Sequence, residues 1–113
     1  MENIIKYEDF TKVDIRLGTI VDAEEYAEIK NPSIKLEIDF GNEIGIKKSS
    51  AQLLKYYKPK EIIGKQVAAV VNFKPKQIGK FMSEVLVLGF PDKNNCPVLF
   101  SPDIDLKNGV KLF

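Results

Sequence analysis

The middle third of the chain concentrates positive charge. Residues 47–80 contain nine lysines and one acidic residue, Glu61, although the net charge of the whole chain is only +1. Lysine ammonium groups bind phosphate oxygens, and aromatic rings beside them can stack on unpaired bases. This segment is therefore a candidate nucleic-acid contact surface, with a hydrated lysine-rich face as the alternative interpretation.

A group of large apolar residues accompanies the lysines, in and beside a loop that contains Pro75. Exposed Met and Phe side chains form an adaptable surface that can hold unfolded peptide. The alternative is that Phe73 and Ile78 plug the mouth of a barrel, because large apolar side chains are usually buried. The members of the group are Phe73, Ile78, Phe81 and Met82.

Catalytic and metal-dependent functions lack their usual residues. The chain has no histidine, which is the commonest general base near neutral pH, and its single cysteine, Cys96, cannot form a thiolate cluster. A Ser-Lys nucleophile could be drawn from Ser49-Ser50 beside Lys47-Lys48, but helix capping explains the serines more simply. We therefore expect a binding protein without catalysis or cofactor. Four carboxylates lack the spacing of a calcium loop and fit a hydrated strand end: Asp22, Glu24, Glu25 and Glu28.

The elements that must position these residues are mainly strands. Residues 33–40 alternate apolar and charged side chains, and the alternation resumes after Gly41-Asn42, which predicts an antiparallel hairpin over residues 33–48. A similar alternation predicts a long strand over residues 13–26, with Gly18 where the strand could bend around a small barrel.

The second half of the chain predicts one helix and further strands. Ser49 or Ser50 can cap a short helix that runs through Tyr57 and is stopped by Pro59. Two apolar segments, residues 66–73 and 84–90, predict strands, and residues 98–100 could add a short edge. Three strands, a short helix and at least two further strands predict an all-β fold, the five-stranded Greek-key barrel called the OB-fold.

The length of 113 residues fits a single domain, with a barrel over about residues 13–100 and terminal extensions over residues 1–12 and 101–113. Both extensions contain apolar residues that need a cover, so we expect them to form a homodimer interface. No apolar run reaches the roughly 18 to 20 residues that span a bilayer, so we expect a cytoplasmic protein that does not insert into membranes. The apolar terminal residues are Ile4, Ile5, Tyr7, Phe10, Val110, Leu112 and Phe113.

Five sequence blocks, in order along the chain, resemble a known family. The chain is similar to the CsaA family of export-related chaperones and to the wider group of tRNA-binding domains, which are found appended to methionyl-tRNA synthetases and in endothelial monocyte-activating polypeptide. The blocks are DIRLGTI (14–20), IKLEIDFG (34–41), IGIKKSSAQ (44–52), AVVNFKP (69–75) and FMSEVLVLG (81–89).

This resemblance implies an OB-fold homodimer that binds tRNA and acts as a chaperone for unfolded polypeptides or secretion precursors. The alternative is a purely peptide-binding secretion chaperone with incidental RNA affinity. By position, the resemblance implies tRNA contacts at Lys47, Lys48, Ser49, Asn72, Lys74, Lys76, Lys80 and Ser83. It implies peptide contacts at Phe73, Ile78, Phe81 and Met82.

Overall fold

A computed structural model describes residues 3–113, and strands dominate it. In chain order the elements are α1 (Tyr7–Thr11), β1 (Ile15–Tyr26), β2 (Ser33–Asp39), β3 (Ile46–Ala51), α2 (Pro59–Ile62), β4 (Gln66–Val70), β5 (Lys76–Ile78), β6 (Phe81–Ser83), β7 (Leu86–Val87), β8 (Gly89–Pro91) and β9 (Pro97–Leu99). Five of the strands form one antiparallel sheet in the order β3-β2-β1-β4-β7, and β5-β6 and β8-β9 form separate hairpins.

The long strand β1 bends the sheet into a barrel. Its first part pairs with β4 and its second part with β2, and the register to β2 shifts between Ile20 and Asp22. Such a bulge increases the local twist of a strand. Gly18 lies at the inside of this bend, because a Cβ atom there would come within 2.6 Å of Ile38 Cγ2 and 2.8 Å of Phe40 Cδ1. The predicted bend at Gly18 thus coincides with a close approach of core side chains.

The barrel closes where the edge strand β3 meets the chain before β7. The Glu84 amide donates to the carbonyl of Lys48 at 2.8 Å, and the Ser49 hydroxyl donates to the carbonyl of Val85 at 2.9 Å. The curled sheet confirms the predicted OB-fold barrel. Buried residues from all sides fill it, among them Ile20, Ile34, Leu36, Ile38, Phe40, Val67 and Val85.

The prediction of a helix from Ser49 or Ser50 through Tyr57 is wrong. β3 continues through Ala51 because its register with β2 places Ser49 opposite Leu36. The helix begins at Pro59, the residue expected to stop one, because proline is tolerated at the first helical position, where its missing N–H needs no partner. Ser49 therefore caps no helix, and its buried hydroxyl, bonded to Val85, does not support a Ser-Lys nucleophile.

The other predicted strands are present with altered bounds. The strand expected over residues 66–73 ends at Val70, and the one expected over 84–90 is divided into β7 and β8. The edge expected at 98–100 is β9, paired with β8. The sequence patterns did not predict α1 or the β5-β6 hairpin, whose three-residue strands are too short for a clear alternation.

The C-terminal extension is bonded to the barrel. The Leu17 amide donates to Val110 and the Leu112 amide donates to Ile15, at 3.1 and 2.9 Å, which adds this segment to the free side of β1. The guanidinium of Arg16 also donates to the Gly109 carbonyl at 2.9 Å. An ion pair with Asp14, 2.6 Å away, orients this guanidinium and raises its pKa, chiefly through their hydrogen bond.

Apolar side chains at both termini remain exposed. Tyr7 is 71% exposed and Phe113 is fully exposed. A groove of about 600 Å³ has Leu112 and Phe113 among its lining residues. A second one, of about 310 Å³, lies between Tyr7 and the same two C-terminal residues. The first two residues of the predicted N-terminal extension lie outside the described range. Within residues 3–113, the helices are too short to cross a membrane.

Candidate nucleic-acid interface

The β5-β6 hairpin, which connects β4 to β7, carries most of the residues predicted to bind ligands. Lys76 pairs with Ser83, Gln77 with Met82 and Ile78 with Phe81. Since side chains alternate along a strand, Ile78 and Phe81 share one face of the hairpin and Met82 lies on the other. Partial burial of Ile78 and Phe81 shows that their face is the one packed on the barrel.

The strand alternation of β2 and β3 separates the adjacent Lys47 and Lys48. Glu37 stands opposite Lys48, and both lie on the outer face of the sheet, whereas Lys47 stands opposite the buried Ile38. Lys35, two residues before Glu37, also lies on the outer face. The outer face of β2-β3 thus presents Lys35 and Lys48, but not Lys47.

Cations and aromatic rings cluster where the hairpin meets this outer face. The ammonium groups of Lys35 and Lys48 each lie 5.7 Å from the centroid of the Phe81 ring. The ring of Tyr26 lies 6.0 Å from that of Phe81. Such distances allow attraction between an ammonium group and the ring quadrupole. Phe81 is therefore engaged by its own neighbours, and its ring contributes less free surface than Phe73.

Three of the predicted RNA contacts hold the structure together through their side chains. Ser49 is 1% exposed, so it cannot touch a ligand directly. The Ser83 hydroxyl accepts from the Ser50 amide at 3.2 Å and joins the hairpin to β3. Asn72 accepts from the Asp14 amide at 3.0 Å and donates to the Lys12 carbonyl at 2.7 Å, which fastens the N-terminal extension to the end of β4.

Most of the remaining predicted residues of this region face solvent. Lys74, Lys76 and Lys80 are exposed on and beside the hairpin. Phe73 is 55% exposed and Met82 is 40% exposed, so the interpretation of Phe73 as a barrel plug is wrong. Ile78 is partly buried, which agrees with that interpretation for this residue. The predicted peptide contacts are thus divided between an exposed pair and a packed pair.

Two residues of the cluster were missed at the level of sequence, Lys35 and Tyr26. The alternation over residues 33–40 contained the signal for Lys35, because it places this lysine on the outer face beside the later lysines. Tyr26 had no such signal, since its role depends on where the hairpin folds back. The ammonium group of Lys35 lies over the Tyr26 ring, 4.8 Å from the ring centroid.

The outer face also carries negative charge. A small cavity of about 90 Å³ between β1, β2 and the hairpin is lined by Asp22, Glu24 and Glu37 as well as by Lys35 and Lys48. Within residues 3–113, the carboxylates and Cys96 do not come together in a group able to hold a metal ion. The carboxylates of this cavity therefore partly offset the positive charge of the two lysines beside them.

Comparison with known proteins identifies the family. The family model of the putative tRNA binding domain matches residues 15–111. The chain belongs to this family. A methionine–tRNA ligase of Pyrococcus horikoshii is 34% identical over 108 residues, which is 96% of this chain and 14% of the ligase. This tRNA-binding-domain chain thus spans about one seventh of that relative.

Solved structures of chaperones share the whole fold of this tRNA-binding domain. The chaperone CsaA of Bacillus anthracis is 49% identical, with a TM-score of 0.92 over 98% of this chain and 100% of the other. The CsaA chaperone of Picrophilus torridus is 46% identical, with a TM-score of 0.89 over 97% and 100% of the two chains. The resemblance drawn from the five sequence blocks is confirmed.

Proposed function

We propose that this chain binds tRNA through a surface that we call the hairpin face, formed by Lys35, Lys48, Lys74, Lys76 and Lys80. The observation that carries the proposal is the packing of the lysine-bearing β5-β6 hairpin on the outer face of β2-β3, with Lys35 and Lys48 beside Phe81. OB-fold barrels bind oligonucleotides on the face of their second and third strands and on the adjoining loops. Membership of the tRNA-binding-domain family supports the same choice of ligand.

Binding on the hairpin face relies on phosphate contacts. Each phosphate that a lysine neutralises releases condensed counterions, which lowers log affinity by about 0.7 to 0.9 per unit of log salt concentration. Lysine offers a compact charge without the planar fork of arginine, so it reads the shape of the backbone more than the edges of bases. Phe73, half exposed beside Lys74, is the ring best placed to stack on an unpaired base.

A triple substitution tests this proposal. Lys74→Ala with Lys76→Ala and Lys80→Ala should weaken tRNA binding and lower the salt slope by about two to three units, since up to three phosphate contacts are lost. Lys55→Ala with Lys58→Ala and Lys60→Ala is the matched control, because these lysines are exposed in the same basic segment but around α2. Equal affinities of the two triple variants would reject the hairpin face as the binding surface.

A chaperone activity toward unfolded polypeptides is the second candidate. It is supported by the exposure of Phe73 and Met82 beside the lysines, and by the chaperones among the solved relatives. We expect Phe73→Ser with Met82→Ser to lose peptide binding while the salt slope for tRNA stays unchanged. If the Phe73→Ser/Met82→Ser variant loses only peptide binding and the wild-type affinity for tRNA is weak even at low salt, a secretion chaperone with incidental RNA affinity is the better description.

We further propose that the chain acts in the export of precursor proteins and is located in the cytoplasm.

The chain is also proposed to form a homodimer, because a second copy would cover the apolar terminal residues and the groove beside Leu112 and Phe113. Deletion of Leu112 and Phe113 should give a monomer in light scattering, whereas Ile63→Ser, which changes an exposed apolar residue elsewhere, should not. A dimeric mass after the deletion would refute this interface.

A further inference from the structure

The hydroxyl of Tyr26 reaches into the turn of the β5-β6 hairpin. Tyr26 is the last residue of β1 and only 5% exposed. Its hydroxyl donates to the carbonyl of Ile78 at 2.9 Å and accepts from the amide of Lys80 at 3.2 Å. One side chain of the barrel therefore bonds to both ends of the turn around Gly79.

A glycine in the turn, Gly79, allows this hydroxyl to approach the backbone. Gly79 has φ of +63°, a conformation that favours glycine. A Cβ atom at Gly79 would come within 2.9 Å of Ile29 Cγ2 and closer still to the Tyr26 oxygen. Glycine is thus required both by the backbone conformation and by the approach of the tyrosine.

The hairpin depends on such contacts for its orientation. Each of its strands has three residues, and an isolated two-stranded hairpin is marginally stable at best in water. Tyr26 also packs its ring on Phe81, so it holds the hairpin through the turn and through one strand. A change at Tyr26 is expected to release the turn and with it the lysines that the hairpin carries.

We propose that Tyr26 is a positioning residue for nucleic-acid binding, which sets the β5-β6 hairpin in the orientation that brings Lys76 and Lys80 to phosphates. This inference rests on the proposed binding of tRNA through the hairpin face. It adds a residue that makes no contact with the RNA itself. The energetic coupling is local, because Tyr26 and the hairpin touch directly.

The first test measures the hairpin without RNA. In Tyr26→Phe, which keeps the ring and removes the hydroxyl, amide hydrogen exchange at Lys80 should accelerate about tenfold, because the acceptor of that amide is lost. Tyr57→Phe is the matched control, since the Tyr57 hydroxyl accepts from the Leu99 amide at 3.0 Å, away from the hairpin. Unchanged exchange at Lys80 in Tyr26→Phe would overturn the proposal.

The second test is a double-mutant cycle with tRNA. If Tyr26 positions the hairpin, Lys76→Ala should weaken binding in the wild-type background and have much less effect in the Tyr26→Phe background. A loss of stability alone would leave the effect of Lys76→Ala equal in both backgrounds, and that equality would refute the positioning role. If Tyr26→Phe folds poorly, Gly79→Ala, which pushes the turn away from Tyr26, should likewise reduce the effect of Lys76→Ala on tRNA binding.

The triple lysine substitution and the hydrogen-exchange test together separate the failure of this inference from the failure of the proposed function. If the triple lysine variant binds tRNA as well as the wild type, the hairpin face is not the binding surface, and the positioning role falls with it. If the triple variant loses affinity while exchange at Lys80 does not respond to Tyr26→Phe, the hairpin face stands and the role of Tyr26 is refuted.

Discussion

The ammonium group of Lys35 lies 4.8 Å from the centroid of the Tyr26 ring, on the outer face of β2. This lysine adds a positive charge to the hairpin face from a strand outside the basic middle segment. Its place on the rigid sheet, and not on the hairpin, distinguishes it from Lys76 and Lys80. The proposed binding surface thus combines a cation on the sheet with cations whose position depends on a short hairpin.

Replacement of Lys35 by glutamine should weaken tRNA binding and lower the salt slope by about one unit, because one phosphate contact is lost. The affinity across a salt series measures both quantities. Lys93→Gln, in the turn between β8 and β9, removes an exposed charge outside the hairpin face and should leave the slope unchanged. Identical slopes for Lys35→Gln and Lys93→Gln would show that Lys35 makes no phosphate contact.

Glu37 should oppose RNA binding, because it stands directly across from Lys48 on the outer face. In Glu37→Gln the repulsion between the carboxylate and phosphates is removed, and the affinity for tRNA should rise about threefold to tenfold at low salt. The gain should disappear at high salt, where exposed charges are screened. Glu61→Gln, in α2, serves as the control, and an equal gain in both variants would indicate a net-charge effect only.

The sequence predicted the barrel because each long strand has a regular alternation that one buried face requires. Residues 33–40 show this best, since Ile34, Leu36 and Ile38 are fully buried in the structure. The helix after Ser49 failed because a local capping signal was weaker than the tertiary pairing of Ser49 with Leu36. Local preference is commonly overridden in this way by strand pairing and burial.

The candidate site was only partly predictable for a related reason. Charge density identified Lys74, Lys76 and Lys80 as exposed cations, and the structure places them on and beside the hairpin. Strand alternation places Lys47 and Lys48 on opposite faces, but which of the two faces outward depends on a register that the sequence alone does not fix. The role proposed for Tyr26 depends on a contact with Ile78 across 52 positions of sequence, which periodicity cannot reveal.

A methyl group at Gly18 should destabilise the barrel. In Gly18→Ala the new Cβ would press on Ile38 and Phe40 inside the core. Overpacking of this kind costs about 1 to 3 kcal/mol in the free energy of unfolding, which urea denaturation would measure. The tRNA affinity of the folded protein should stay within twofold, since Gly18 lies outside the hairpin face. A wild-type urea midpoint would contradict the close packing at this position.

A hydrogen bond joins Tyr56, in the segment between β3 and α2, to Asp92, in the turn between β8 and β9. The Tyr56 hydroxyl donates to the Asp92 carboxylate, whose other oxygen accepts from the amides of Asn94 and Cys96 at 2.8 Å each. The bond to Tyr56, more than these amides, lowers the pKa of Asp92 from its ordinary value of 3.8. The same bond raises the pKa of Tyr56 above its ordinary value of 10.0.

Removal of the donor in Tyr56→Phe should raise the pKa of Asp92 toward 3.8, which an NMR titration of the carboxyl carbon would follow. The pKa of Asp92 is lower in the folded state than in the unfolded chain. The carboxylate therefore stabilises the fold at pH above its ordinary pKa, and this contribution is lost as the pH falls through the lower pKa of the folded state. Tyr57→Phe should leave the titration unchanged. A residual lowering in Tyr56→Phe as large as in the wild type would assign the effect to the amides of Asn94 and Cys96 instead.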